Sequence, residues 1–145
     1  MKKKIIILLT VIIVILGVIA YGYSKAIPPL KNEGQPRPQI IITPKTFDFG
    51  NVDFGLVAKY TFKIKNSGNE VLAIQRVATS CACTSAKVSQ EKINPGEEAE
   101  LTVEYDTKLM GSGPHGKGQQ ERIIYVKSND PISPQAEVTI SAFVN

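Results

Sequence analysis

Tryptophan is missing from the 145 residues, and cysteine and methionine occur only twice each and histidine once. Because the two cysteines are positions 81 and 83, no disulfide can join distant parts of the chain. Any core must therefore rest on aliphatic, Phe and Tyr burial. Paired C-x-x-C motifs are lacking, so the strong sequence signature of a zinc site is absent. The glycine-rich stretch 111–118 has neither the P-loop pattern nor a Ser/Thr after its lysine. Ser112 and His115 lack any oxyanion-hole signature that would complete a hydrolytic triad. Asp48 and Asp53 flank Gly50 without the ligand spacing of a calcium loop and read as solvated strand ends. No catalytic constellation is present, and the expectation is a protein that is not an enzyme.

Positive charge is also lacking where a nucleic-acid reader would need it. Of 17 Lys/Arg and 13 Asp/Glu, residues 1–37 hold six and one, leaving eleven and twelve for the rest. The near-neutral body sets nucleic acid aside as a partner.

The basic excess belongs to the N-terminus. Lys2-Lys3-Lys4 precedes Ile5 to Tyr23, an uncharged run rich in Ile, Leu and Val. A helix of about 20 residues spans a roughly 30 Å hydrocarbon layer. Residues 5–23 thus predict a transmembrane helix or signal anchor, with 1–4 as a cytoplasmic basic N-terminus and everything beyond on the extracytoplasmic side of the plasma membrane. Tyr21 and Tyr23 suit the far interface. The alternative is a cleaved signal ending near Ser24-Lys25-Ala26, which would make the domain secreted or periplasmic. With no cysteine in the first eighty residues, there is none to take a lipid. Residues 24–38, with Pro28, Pro29, Pro36 and Pro38, predict an extended extracytoplasmic linker, of which the dozen residues from 27 to 38 reach about 35 Å at roughly 3.1 Å per residue.

From residue 39 to 145 the apolar period becomes two, with β-branched residues bounded by Gly, Pro, Asn and Asp. Eight candidate strands follow: 39–43, 46–49, 58–66, 70–78, 85–88, 99–105, 122–128 and 137–143. Alternation assigns Tyr60, Phe62 and Ile64, then Leu72, Ile74 and Val77, then Leu101, Val103 and Tyr105 to buried faces. Asn66-Ser67-Gly68-Asn69 predicts a turn tolerant of positive φ, and Asn94-Pro95-Gly96 a type II turn. Asn129-Asp130-Pro131 ends a strand. Glu97, Glu98 and Glu100 predict a polar edge that resists pairing with other chains. Seven or eight short strands make an all-β, immunoglobulin-like antiparallel β-sandwich, with a small barrel as the other possibility.

Several of these pieces form a joint pattern. Pro44-x-x-Phe47-Asp48-Phe49-Gly50-x-Val52, Phe62-x-Ile64-x-Asn66-x-Gly68-Asn69, Leu72-x-Ile74-x-x-Val77, Ser80-Cys81-x-Cys83-Thr84, Ile93-x-Pro95-Gly96 and Ser128-Asn129-Asp130-Pro131 occur in order over about 40–144. Together they resemble the bacterial envelope family called domain of unknown function 1573 (DUF1573). The resemblance implies an Ig-like sandwich related to domains of the ASPM, SPD-2 and hydin proteins and, further off, to major sperm protein and pilus-chaperone domains. It implies no activity. Ala82 stands where the family usually has glycine, which disfavours left-handed backbone at that position.

Cys81 and Cys83 remain the chemical focus. On an extended strand they would share one face with Cα atoms about 6.6 Å apart at 3.3 Å per residue. That spacing is near the upper limit for a disulfide, so closing a bridge requires a bend, and the product would be reducible. Left open, the two thiolates could hold Cu(I) or half of a zinc site, with His115 and Met110 from the 108–118 loop as further soft ligands. The expectation is a membrane-anchored binding or structural module of the cell envelope, meeting an envelope protein or polymer. The alternative is a Cu(I)-binding or thiol-redox envelope protein using the Cys81-x-Cys83 pair.

Overall fold

The computed structural model describes residues 12–19, 21 and 35–145 except 112, 114 and 115. The chain divides into two units, 1–35 and 36–145. In the first, a helix covers 12–19, with Ile13, Val14 and Val18 exposed. No helix among the described residues is long and apolar enough to cross a membrane. The span expected over 5–23 is thus not found as one helix, and its other residues, apart from residue 21, lie outside the described ones, as does most of the 24–38 linker.

The second unit is a β-sandwich. Its strands are β1 (Ile40–Thr43), β2 (Thr46–Val52), β3 (Val57–Asn66), β4 (Leu72–Thr79), β5 (Thr84–Val88), β6 (Lys92–Ile93), β7 (Glu98–Asp106), β8 (Gly118–Ser128) and β9 (Gln135–Val144). One sheet has the order β1-β3-β7-β5 and the other β2-β9-β8-β4-β6. Nine strands exceed the seven or eight expected because β6 contributes only two residues, too few for a period to show. One pairing departs from the antiparallel expectation: β2 runs parallel to β9. The chain changes sheets at Pro44-Lys45 and then follows β9 in the same direction. Side-chain alternation carries no information about strand direction, so sequence could not reveal this.

The alternation does reveal the core. Phe62, Ile64, Leu72, Leu101, Val103, Ile124, Val126, Val138 and Ile140 are buried between the sheets, with Tyr60 and Val77 packed at the margin. Phe47 stacks on the ring of Tyr60, closing one end. Full burial of such side chains contributes about 1.5–3 kcal/mol each before entropy is charged against it.

The turns divide into one expected and one not. Gly96 has φ +80° and Glu97 N donates to Asn94 O at 3.0 Å, as the type II reading requires. Gly68 has no positive φ; its need for glycine is steric, since a Cβ there would overlap the Arg37 carbonyl oxygen. The glutamates also differ from expectation. Glu98 and Glu100 sit on β7, a strand paired on both sides, and Glu98 meets Lys63 across the sheet at 3.5 Å. They are therefore cross-strand partners rather than edge guards.

β4 ends in one sheet at Thr79 and β5 begins in the other at Thr84. Residues 80–83 make the crossing. Both cysteines lie in it.

Candidate functional site

A chain that must pass between sheets in four residues has to bend, and the bend replaces the extended geometry expected of Cys81 and Cys83. Their Cα atoms are 5.2 Å apart rather than about 6.6 Å, within the usual range for a bridge. The two sulfurs form a disulfide. Thr84 N donates to Cys81 O at 3.1 Å and Thr79 Oγ1 donates to Cys81 O and Thr84 O, at 3.0 and 2.9 Å. Ala82 is exposed, and among the described residues none other than glycine has positive φ, in keeping with the alanine in this turn.

The two sulfurs are not equivalent. Cys83 is 2% exposed, whereas Cys81 is half-buried at the rim. Arg122 Nε donates to Cys83 Sγ at 3.1 Å. Two further bonds hold the guanidinium in place: Nη2 donates to Gln120 Oε1 and Nη1 to Glu121 O, both at 2.6 Å. Its Cζ lies 5.5 Å from the centre of the Tyr105 ring, a cation–π distance. Burial pushes the Tyr105 hydroxyl above its ordinary pKa, with the Arg122 charge pulling weakly the other way. That hydroxyl is buried without a hydrogen-bond partner.

Of the four residues expected to form a soft-metal site, Cys81 and Cys83 are joined to each other. Neither sulfur is a thiolate in this state, so Cu(I) or zinc would require the pair to be reduced first. Met110 ends a 3-10 turn, Thr107–Met110. His115 lies outside the described residues. Among the described residues no three His, Cys, Asp or Glu side chains gather as a metal site would need. Asp48 and Asp53 have local roles, accepting from Gly50 N at 3.0 Å and Asn145 Nδ2 at 3.3 Å.

Arg122 was missed as a site residue, although a signal existed. In β8, Gln120, Arg122, Ile124, Val126 and Ser128 share one parity, and all but Arg122 are buried. A charge on the inward face of a strand demands a partner. Here that partner is Cys83 Sγ together with Gln120.

The family pattern now has a physical meaning at each end of the sandwich. Asn66, fully buried at the end of β3, donates from Nδ2 to Glu70 O at 2.7 Å and Ile93 O at 2.9 Å. Asn129 N and Oδ1 bracket Ala73, and Asp130 accepts from Ile40, Ile132 and Ser133 amides. A family model described as a protein of unknown function (DUF1573) matches residues 40–144. The chain belongs to the DUF1573 family. Its domain is similar to a protein of unknown function from Porphyromonas gingivalis W83, 22% identical with a TM-score of 0.66, over 74% of this chain and 47% of that one. The DUF1573 chain thus spans about half the length of that relative. The ASH/PapD-like domain 7 of human CEP192 is 11% identical with a TM-score of 0.58, over 82% and 92%. The YadV chaperone is 12% identical with a TM-score of 0.52, over 73% and 52%. These likenesses carry the fold alone, an Ig-type β-sandwich. Among the curated proteins compared, none matches the DUF1573 chain.

Proposed function

We propose that this DUF1573 domain is a membrane-anchored, extracytoplasmic binding module of the bacterial cell envelope, without catalytic activity, that takes an extended segment of an envelope partner onto the open edge of β5. The edge carries the reading. Asp106 N donates to Cys83 O at 2.9 Å and Ser89 N to Glu100 O at 2.8 Å, which puts the odd-numbered backbone groups of this strand onto β7. By strand alternation, the N–H and C=O of Ala86 and Val88 point away from β7. Beside the edge runs an open groove of about 600 Å³ lined by Lys59, Ser85, Lys87, Thr102 and Glu104. Backbone groups give affinity and the flanking side chains specificity in strand addition.

Location rests on two further supports. Lys2-Lys3-Lys4 followed by the uncharged run Ile5–Tyr23 suits a single-pass anchor with its basic end inside. The Cys81–Cys83 disulfide suits an oxidising compartment.

The test combines topology with the edge. Protease added to intact spheroplasts should digest the domain, and full protection would overturn the extracytoplasmic placement. A photo-crosslinking residue at Lys87 should trap a partner in cells, and Ala86→Pro, which removes an edge-facing N–H without touching the β7 ladder, should abolish the adduct. An undiminished adduct in a folded Ala86→Pro protein overturns the β5 reading.

A further inference from the structure

The geometry points to Cys81–Cys83 as a directional thiol–disulfide exchange site, in which Cys81 Sγ is the atom attacked and Cys83 Sγ the leaving thiolate, received by Arg122. It stands independently of the β5 edge, since it uses the inward side of β8 and the 80–83 turn.

A bridge with one intervening residue closes too small a loop to restrict the unfolded chain much, so stabilisation through chain entropy is a weak reason for it. Access is asymmetric: the half-buried Cys81 lies beside exposed Ser80 and Ala82, whereas Cys83 is 2% exposed. A positive charge adjoins the buried sulfur. Arg122 Nε sits 3.1 Å from Cys83 Sγ, while Cys81 Sγ receives the neutral Cys83 N–H at 3.0 Å. Among the described residues no carboxylate pairs with Arg122. A neutral disulfide sulfur is a weak acceptor and returns little for placing a guanidinium on the inward parity of β8. A thiolate at the same position would form a charge-assisted contact with a donor already fixed by Gln120 Oε1 and Glu121 O.

The co-reactant is a dithiol, small or protein-borne. One of its thiolates attacks Cys81 Sγ; the new S–S bond forms as the Cys81–Cys83 bond breaks, and the bonding pair leaves on Cys83 Sγ against the Arg122 cation. The second thiolate of the dithiol then attacks its own sulfur in the mixed disulfide and releases Cys81 as a thiolate. The dithiol loses two electrons and becomes a disulfide; the pair gains two electrons and, after solvent protonation, two protons. A leaving thiol of lower pKa departs faster, and a neighbouring arginine lowers thiol pKa.

The probes are glutathione, whose first attack leaves a mixed disulfide that alkylation of the freed thiol traps, and dithiothreitol, whose second thiol completes reduction, both applied to the full 145-residue chain. After glutathione and alkylation, fragment mass spectrometry should place the glutathione on Cys81 and the alkyl group on Cys83, in about tenfold excess over the reverse. Reduction by dithiothreitol should slow about three- to tenfold in Arg122→Gln, and Arg122→Lys, which keeps a cation, should recover most of the rate. Glutathione on Cys83, or on both sulfurs equally, overturns the proposal, as does an unchanged rate in a folded Arg122→Gln. Should Arg122→Gln not fold, the site of glutathione capture in the unaltered protein decides alone.

Discussion

Asp130 Oδ2 accepts the backbone N–H of Ile40 at 2.9 Å, closing a contact between residues 90 apart in sequence. Its other oxygen accepts from Ile132 N at 2.9 Å and Ser133 N at 3.2 Å. One carboxylate therefore fastens the entry of β1 to the turn between β8 and β9.

Acid should undo that fastening. Burial pushes the Asp130 carboxyl up, but the amides of Ile40, Ile132 and Ser133, helped by the Arg37 charge, outweigh it and hold the group below its ordinary value. A folded pKa below the unfolded one contributes stability that is full above the unfolded value, about 3.9, and is lost as pH falls through the folded value. Asp130→Asn keeps the shape but not the charge, and should cost about 1.5–3 kcal/mol near neutral pH. Urea unfolding of both proteins at neutral and acid pH checks this; the difference between them should shrink on the acid side.

The buried hydroxyl of Tyr105 makes the opposite kind of prediction. It has no partner, and burial raises its pKa. A folded value above the unfolded one for a group that ionises to an anion means stability falls as pH rises through the ordinary tyrosine range near 10. Tyr105→Phe removes an unsatisfied polar atom and should leave the domain equally stable or about 1 kcal/mol more stable at neutral pH, with a weaker alkaline decline. A loss above about 2 kcal/mol would reveal a hydrogen bond of real weight at that oxygen.

These polar contacts mark the boundary of what sequence could supply. Period-two alternation found Phe62, Leu72, Leu101 and Val103 because burial on one strand face is a local property. It placed eight of nine strands. What it missed depends on chain segments far apart: the parallel direction of β2 on β9, the reach of Asp130 to Ile40, and the meeting of Arg122 with Cys83, 39 residues away. Asp130 stands in the sequence as the residue before a proline and as part of the Ser128–Pro131 motif, neither of which reveals its contact with Ile40. The candidate strands 70–78 and 85–88 leave the cysteines between them, but alternation cannot tell that the intervening residues carry the chain from one sheet to the other, which is what supplies the bend that a bridge requires. Only the inward parity of Arg122 was a signal left unused.

The close approach at Gly68 gives the last test. Residues 37–39 lie against the 66–69 turn: Asn69 Oδ1 accepts from Arg37 N at 2.7 Å, Asn69 N donates to Arg37 O at 3.0 Å, and Asn66 Oδ1 accepts from Gly68 N at 3.0 Å and Gln39 N at 3.3 Å. A Cβ on residue 68 would overlap Arg37 O and crowd Gln39 N at 2.6 Å, both backbone atoms that cannot rotate away. Gly68→Ala should therefore displace the 37–39 segment rather than strain φ. The expected cost is about 1–3 kcal/mol, in the range for overpacking, with faster amide exchange at Gln39 and Ile40 and little change at Phe62 or Val103. Asn66→Ala removes the other half of the same junction and leaves Ile93 O and Glu70 O without their donor, so it should cost about 2–4 kcal/mol. Because the two sites share partners, their effects should not add, and a double variant that loses the full sum would show that Gly68 and Asn66 act on separate features.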